Sequence, residues 1–253
     1  MAAADGHLVE LIRRSRAILV FTGAGISTGS GIPDYRGPQG VWRVQQPVYF
    51  QDFMARHEAR VEYWRQKLES WPEIRHALPN ATHHAVVRLE RAGKVLLVAT
   101  QNIDGLHEKA GTSRSLLVEL HGTNLRVECM SCHLMSEPDG HFRSFAATGE
   151  PPLCEACGGF LKPATISFGQ GLHSDDLDRA FAAAAQTDLV MALGSSLSVH
   201  PAASIPLAAV ERGAAYVIIN RGVTDHDRYP GVTLRVEGDV GELLPPAVDA
   251  ACG

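Results

Sequence analysis

Short apolar runs alternate along this chain with stretches whose apolar positions recur at helical spacing. Ala17–Phe21, Val95–Thr100, Leu116–Leu120, Leu189–Leu193, Tyr216–Asn220 and Val232–Val236 read as strands. Between them the spacing predicts helices over Ala81–Arg91, stopped by Gly93, over Asp175–Gln186, and over Ala202–Arg212, stopped by Gly213. Strand–helix alternation of this kind predicts an α/β fold, a mostly parallel sheet with helices on both faces, doubly wound and Rossmann-like. Two regions break the rhythm. Residues 31–50 are rich in Gly, Pro and Gln with little periodicity, and a loop of that length in a compact domain reads as functional, here a cofactor-covering segment. Residues 123–162 hold two cysteine pairs together with Pro138, Pro151 and Pro152, and are too few to build a core without a metal. The expected organisation is therefore a nucleotide-binding domain from residues 1–122 and 163–253, with residues 123–162 as an inserted zinc module.

Ligands of doubly wound sheets bind beyond the carboxyl ends of the strands. Behind the first apolar run stands Gly23-Ala24-Gly25-Ile26-Ser27, where glycines let the main chain turn its N–H groups toward a phosphate at a helix start. The spacing through Gly29 is Gly-x-Gly-x-x-x-Gly, one residue longer than the dinucleotide fingerprint, so taken alone it also fits a tight turn with no ligand. The later strand ends are polar as well: Gln101-Asn102-Ile103-Asp104-Gly105, His121-Gly122, Gly194-Ser195-Ser196 and Asn220-Arg221-Gly222. Together they predict one crevice. Among 12 histidines, His121 is set apart by following an apolar strand and preceding a glycine, and an imidazole titrating near neutral pH suits proton removal. His83, His84 and His141 read as solvated side chains.

Charge and composition narrow the partners. A net charge of −5 offers no basic field for a nucleic-acid backbone, and no apolar stretch approaches the roughly 20 residues needed to span a bilayer. The first ten residues carry Asp5 and Glu10 without the pattern of a secretory signal, which makes the cytoplasm the expected compartment. Four of the 5 cysteines form Cys129-Met130-Ser131-Cys132 and Cys154-Glu155-Ala156-Cys157, a zinc-ribbon spacing. Four thiolates at about 2.3 Å close a tetrahedral shell and leave no position for substrate, so this Zn2+ is expected to be structural. Two disulfides or buried free thiols are the other readings, the former disfavoured in a reducing compartment. Cys252 has no expected role at the metal.

Taken in order, Gly23-Ala24-Gly25-Ile26-Ser27, Gly31-Ile32-Pro33-Asp34-Tyr35-Arg36, Thr100-Gln101-Asn102-Ile103-Asp104-Gly105-Leu106-His107 and Glu119-Leu120-His121-Gly122 resemble the motifs of the sirtuin family. The cysteine pairs and Gly194-Ser195-Ser196-Leu197 agree, and the likeness runs from about Ile18 to Asp239. Within it, Tyr35 to Trp42 is similar to the branch that includes nuclear, chromatin-associated sirtuins. The resemblance implies an NAD-dependent protein-lysine deacylase, with acyl-lysine and the nicotinamide end of NAD meeting between a Rossmann-like domain and a small zinc domain. It implies that Gly23, Ala24 and Gly25 hold the pyrophosphate beside Ser27, that Arg36 steadies that loop and the phosphates, and that Asp34 and Tyr35 also face the cofactor, Tyr35 shielding the sugar cation. Asn102, Ile103 and Asp104 would form the nicotinamide pocket, and Gln101 would face the ribose. Gly194, Ser195, Ser196, Asn220, Arg221 and Gly222 would lie toward the adenosine, with Gly238-Asp239-Val240 touching adenine.

The same resemblance implies a reaction in which the acyl oxygen attacks C1′ of the ribose as nicotinamide leaves. A ribose hydroxyl deprotonated by His121 then takes the acyl group, giving O-acyl-ADP-ribose, and Asn102 and Asp104 assist. Ile166, Phe168, Gly169 and Val199 would receive the acyl-lysine, although core packing is an equal reading for Phe168 and Val199. His107 would play a supporting part. Gln170 replaces a common glutamate, and the Tyr-x-x-Arg pair that reads acidic acyl groups in some relatives is missing, with Trp64 and Lys67 in its place near Tyr63. Acetyl, or a longer apolar acyl group, is therefore the expected cargo. Two other functions share the early chemistry or the binding site: protein ADP-ribosyl transfer, and a non-catalytic NAD-binding zinc adaptor.

Overall fold

A computed structural model of the chain describes residues 6–35, 37 and 40–253. Arg36, expected to steady the cofactor loop, lies outside the described residues. The chain enters through α1 (Gly6–Arg14) and β1 (Ile18–Thr22), then makes short 3-10 turns at Ala24–Ile26, Thr28–Ser30 and Val41–Arg43. There follow α2 (Phe50–Ala55), α3 (His57–His76), α4 (Ala81–Arg91), β2 (Val95–Thr100), α5 (Leu106–Ala110) and β3 (Leu117–Glu119). The cysteine-bearing segment contributes β4 (Gly122–Cys129), β5 (Met135–Ser136), α6 (Pro138–Thr148) and β6 (Leu161–Thr165). Then come α7 (Ser174–Ala184), β7 (Leu189–Leu193), α8 (Ser204–Glu211), β8 (Ala215–Asn220), β9 (Leu234–Glu237) and α9 (Val240–Cys252).

Among the described residues the apolar runs form a 6-stranded sheet in the order β3-β2-β1-β7-β8-β9, with every neighbouring pair parallel. β1 is central, and all of its residues are buried. Its alternation divides the interior. Ile18 and Val20 join Leu8 and Ile12 of α1, Val86 and Leu89 of α4, and Leu244 and Val248 of α9. Leu19 and Phe21 face the opposite side, against Ala180 and Ala184 of α7, Ile205 and Ala209 of α8, and Tyr216. A sheet covered on both faces explains why its strands carry near-continuous apolar runs. The predicted strands Val95–Thr100 and Leu189–Leu193 and the predicted helix Ala81–Arg91 keep their boundaries, whereas the expected strand Val232–Val236 runs instead over Leu234–Glu237.

A second, antiparallel sheet in the order β5-β4-β6 carries the cysteines, with Gly122 opposite Thr165 and Cys129 opposite Leu161. Its apolar side is not closed by residues 123–162 alone. Phe53, Tyr63, Trp64, Trp71 and Ile74, from α2 and α3, pack with Val127, Phe142, Phe145, Cys154 and Leu161. The Trp64 indole Nε1 donates to the Leu161 carbonyl at 3.1 Å, and its ring meets Phe142 edge-on at 5.4 Å. α3 lacked a clear sequence signal because it buries a few large aromatics among many charged residues rather than a regular aliphatic stripe. α6 starts with Pro138 in its first turn, where the missing N–H costs nothing. Burial of Trp64 without any exposed area makes it the main anchor between α3 and the cysteine-bearing sheet. Trp64→Ala is expected to destabilise the fold by about 3–5 kcal/mol, read from chemical denaturation. A loss below about 1 kcal/mol would show that the contact anchors nothing.

Candidate active site

The sheet order reverses direction between β1 and β7, the place where an open α/β sheet leaves a crevice at its strand tips. There the two tips touch. Gly23 N donates to Leu193 O at 3.0 Å, and Gly25 N donates to Gly194 O at 2.8 Å. A Cβ on Gly23 would stand 2.8 Å from Gly194 O, one on Gly25 would stand 2.8 Å from Gly194 Cα, and Gly194 has φ of +61°. Glycine is required at all three positions by this approach, and the turn it permits forms part of a cavity of about 1070 Å³.

The cavity gathers most of the residues singled out from sequence: Gly23, Ala24, Gly25, Asp34, Tyr35, Gln101, Asn102, Ile103 and His121 on one side, then Ile166, Phe168, Gly169 and Val199. Gly194, Ser195, Ser196, Asn220, Arg221 and Gly222 complete it toward β7 and β8. Ser27 and Asp104 stand behind this lining, joined to it by hydrogen bonds. Ser27 Oγ donates to Asp104 Oδ2 at 2.7 Å, and Asn102 Nδ2 donates to Ser27 Oγ at 3.1 Å. The Val240 side chain belongs to the core shared with Leu8 and Leu244, because residue 240 already sits in the first turn of α9.

Polar networks fix the site from below. Asp104 Oδ1 accepts from Leu106 N at 2.9 Å, while burial holds the carboxyl above its ordinary pKa. Thr22 Oγ1 donates to Thr100 Oγ1 at 2.8 Å, and Thr100 Oγ1 accepts from Asn102 N at 3.0 Å. His107 Nε2 lies 3.1 Å from Thr22 Oγ1, and burial pushes this imidazole down to about 3, so it stays neutral in the protein. Gln101 Nε2 donates to Ser195 Oγ at 2.8 Å, tying the tip of β2 to that of β7. Asn80 caps α4 through Thr82 N and donates to Ile26 O at 2.8 Å, bracing the glycine turn from outside.

His121 connects the two halves. Its Nδ1 is 3.0 Å from Gln101 O, and a carbonyl can only accept, so Nδ1 carries the proton and Nε2 is the basic nitrogen of the neutral ring. Its own carbonyl accepts from Ile166 N at 2.8 Å. At the next position Gly122 adopts φ of +70°, and a side chain there would collide with the Ala164 carbonyl. Phe168 leaves the cores and packs in a chain of mutually tilted aromatics: Tyr35 to Trp42 at 5.1 Å, Trp42 to Phe168 at 5.2 Å, and Tyr49 to Phe168 at 5.9 Å. Phe50 N donates to Phe168 O at 2.9 Å, so the segment expected to cover a cofactor is fastened to the segment expected to receive the substrate.

The sulfur atoms of Cys129, Cys132, Cys154 and Cys157 lie within 4.8 Å of one another. The Cys129–Cys157 and Cys132–Cys154 separations are 3.5 and 3.8 Å, close to the edge of about 3.8 Å for a tetrahedron of sulfurs at zinc bonding distance. Ser131 N and Gly159 N each donate to a cysteine sulfur at 3.4 Å, as suits thiolates. The four residues therefore fit a structural Zn2+ and not two disulfides.

Comparison with known proteins agrees with this geometry. The model of the Sir2 family matches residues 23–201. The chain belongs to the Sir2 family. An NAD-dependent protein deacetylase of Rhodopseudomonas palustris is 44% identical over 96% of this chain and 95% of its own length. One from Caldivirga maquilingensis is 39% identical over 88% of this chain and 85% of its own. A solved Sir2 structure with a p53 peptide and NAD+ superposes with a TM-score of 0.86 at 34% identity, covering 96% of this chain and 97% of that one. Another, with a deacetylated p53 peptide and 3′-O-acetyl ADP-ribose, gives 0.85 at 32% identity, covering 96% of each chain.

One wall of the cavity is formed by Tyr63, Lys67, Asn124 and Thr165; the sequence points to the neighbourhood of Tyr63 and Lys67 through the missing Tyr-x-x-Arg pair, but carries no signal for Asn124 or Thr165. Tyr63 and Lys67, four residues apart on α3, share a helix face, but nothing in their spacing pointed to β4 and β6. The metal site generates a direct test. Cys132→Ala is expected to lower bound zinc, measured per chain, from one ion to nearly none, and to loosen the β4–β6 sheet, since structural zinc contributes about 10–16 kcal/mol of apparent binding energy in small modules. Full zinc content in that variant would remove the assignment.

Proposed function

We propose that this Sir2-family chain is an NAD-dependent protein-lysine deacetylase, with His121 as its general base. The observation that carries the reading is the Nδ1–H bond from His121 to Gln101 O, which leaves the basic nitrogen on a ring lining the same cavity as the glycine turn and Asn102. Bound NAD supplies a cationic nicotinamide leaving group and a ribose whose hydroxyls can take over the acyl group. No protein nucleophile is needed, which suits a cavity whose conspicuous reactive side chain is an imidazole.

The chain's residues divide the remaining work. The Gly23–Gly25 turn, Ser195, Asn220 and Gly222 form the wall for phosphates and adenosine, and Gln101 is held by Ser195 where it can face a ribose. Asn102 and the Ser27–Asp104 pair form the nicotinamide end. Both Asp104 oxygens already accept one hydrogen bond, yet each carboxylate oxygen has a second lone pair for a carboxamide NH₂. His121 Nε2 removes the proton from the ribose hydroxyl that receives the acyl group. Tyr35, Trp42 and Phe168 close the cavity above the reacting carbons and keep water from the sugar. The acyl-lysine peptide lies between the 166–169 and 198–201 segments. The deacetylase names and the peptide complexes of its relatives support protein lysine as substrate over ADP-ribosyl transfer. Four reduced thiols holding zinc suit action in the cytoplasm.

His121→Ala is expected to lower kcat for an acetyl-lysine peptide by about 100-fold or more while NAD affinity changes little. Turnover would be followed by nicotinamide release and by mass analysis of the products. Near-normal turnover would remove His121 as base, and label retained on protein without O-acetyl-ADP-ribose would favour the transferase.

A further inference from the structure

The adenosine wall of the cavity is fastened from behind by one guanidinium. Residues 221–233 connect β8 to β9 without helix or strand, yet Arg221, Gly222 and Val223 there line the cavity beside Asn220. A connection of this length keeps one shape when side chains staple it. Arg235 is that staple. It stands on the edge strand β9 opposite Ile218, with its side chain 19% exposed. Its Nη1 donates to Asn220 O at 3.0 Å and to Val236 O, its Nη2 to Gly222 O at 2.6 Å and Glu237 Oε2 at 2.8 Å, and its Nε to Asp227 Oδ1 at 2.8 Å. Both carboxylates grip the same loop in turn. Asp227 Oδ2 accepts from Thr224 N at 3.1 Å, and Glu237 Oε1 accepts from Gly222 N at 2.7 Å.

From the guanidinium the order passes to a group facing the cavity. Gly222 O, held by Arg235 Nη2, also accepts from Asn220 Nδ2 at 3.0 Å, and Arg221 O accepts from the same nitrogen at 3.0 Å. Both amide hydrogens of Asn220 are thereby spent, and its Oδ1 is presented as an acceptor. Asp225 N donates to Ser196 O at 3.0 Å, which joins the loop to the tip of β7. A lysine could answer Asp227 or Glu237, but it lacks the planar fork that here reaches two carboxylates and three carbonyls at once. The Asn102–Asp104 end of the cavity rests on different partners: Thr100, Ser27 and Leu106 N.

Resting on the deacylase reading above, which puts the adenosine half of NAD against this wall, we propose that Arg235 is a positioning residue for the cofactor. It fixes the Asn220–Gly222 turn and thereby aims the Asn220 side-chain oxygen at the hydroxyl and amino donors of adenosine. The two ends of the cavity are then held separately. Arg235 governs how tightly NAD is bound, and the groups around Asn102 and His121 govern how fast the bound cofactor reacts.

The test uses the zinc-loaded full chain and an acetyl-lysine peptide, with NAD varied at saturating peptide. Arg235→Ala is expected to raise KM for NAD about tenfold, while kcat and the peptide KM change less than about twofold. Calorimetric binding of ADP-ribose, which needs no turnover, should weaken to the same degree, and a thermal melt checks that the variant is folded. Millimolar guanidinium chloride, compared with sodium chloride at equal concentration, should restore ADP-ribose affinity by refilling the vacated fork, which a chain loosened at large would not show. Arg235→Lys, which keeps the charge between Asp227 and Glu237, gives the same comparison in a less disturbed chain, with a rise in KM for NAD of about threefold or more. A KM for NAD unmoved in either variant, or a loss spread equally over kcat and the peptide KM, overturns the inference. Acetyl turnover with ADP-ribose affinity equal in altered and unaltered protein refutes the positioning role alone. ADP-ribose binding weakened in Arg235→Ala, in a protein that turns over no acetyl peptide, upholds the positioning role and refutes the deacylase.

Discussion

The contact between the tips of β1 and β7 is the constraint on which the site depends. Two hydrogen bonds, Gly23 N to Leu193 O and Gly25 N to Gly194 O, pull two backbones so close that no Cβ fits on either side. That approach turns the chain sharply at residues 23–26 and opens the crevice beside it. The tips of β2 and β8 are then within reach, joined to it through Gln101–Ser195 and the neighbouring strands. A side chain at any of the three glycines would part the tips and widen the site that five loops now share.

The cysteine-bearing sheet acts as the second jaw. β4 begins one residue after His121, and β6 ends one residue before Ile166. The hydrogen bond between His121 O and Ile166 N therefore joins His121 to the 166–169 segment with no intervening loop. At the far end of the same strands, Cys129 stands opposite Leu161, under Trp64. Zinc at the cysteines and the aromatic packing of α3 hold this lever rigid. In this way a metal with no chemical role in the reaction still bears on where the imidazole stands.

Inside the cavity, burial sets the state of the polar groups. His107 is held neutral within hydrogen-bond distance of a threonine pair that fixes Asn102, while Asp104 is pinned by a serine hydroxyl and a backbone N–H. Such fixed donors and acceptors need little reorganisation when the charge of a bound ligand shifts.

The sequence by itself determined the doubly wound sheet, the strand-end clusters and the zinc quartet. Each is local: a strand buried on both faces must be apolar throughout, close backbones demand glycine, and four cysteines in two pairs announce their ligand. His121 was legible for the same reason, as a polar residue at the end of an apolar run. Only the tertiary structure decided what surrounds these groups. α3, rich in charge and without a regular apolar stripe, folds across β4 and β6 and delivers Lys67 and Tyr63 to the cavity wall. The side chain of Val240 packs into the core because α9 starts there. Contacts between segments distant in the chain leave no periodic trace in either segment, and packing alone brings them together.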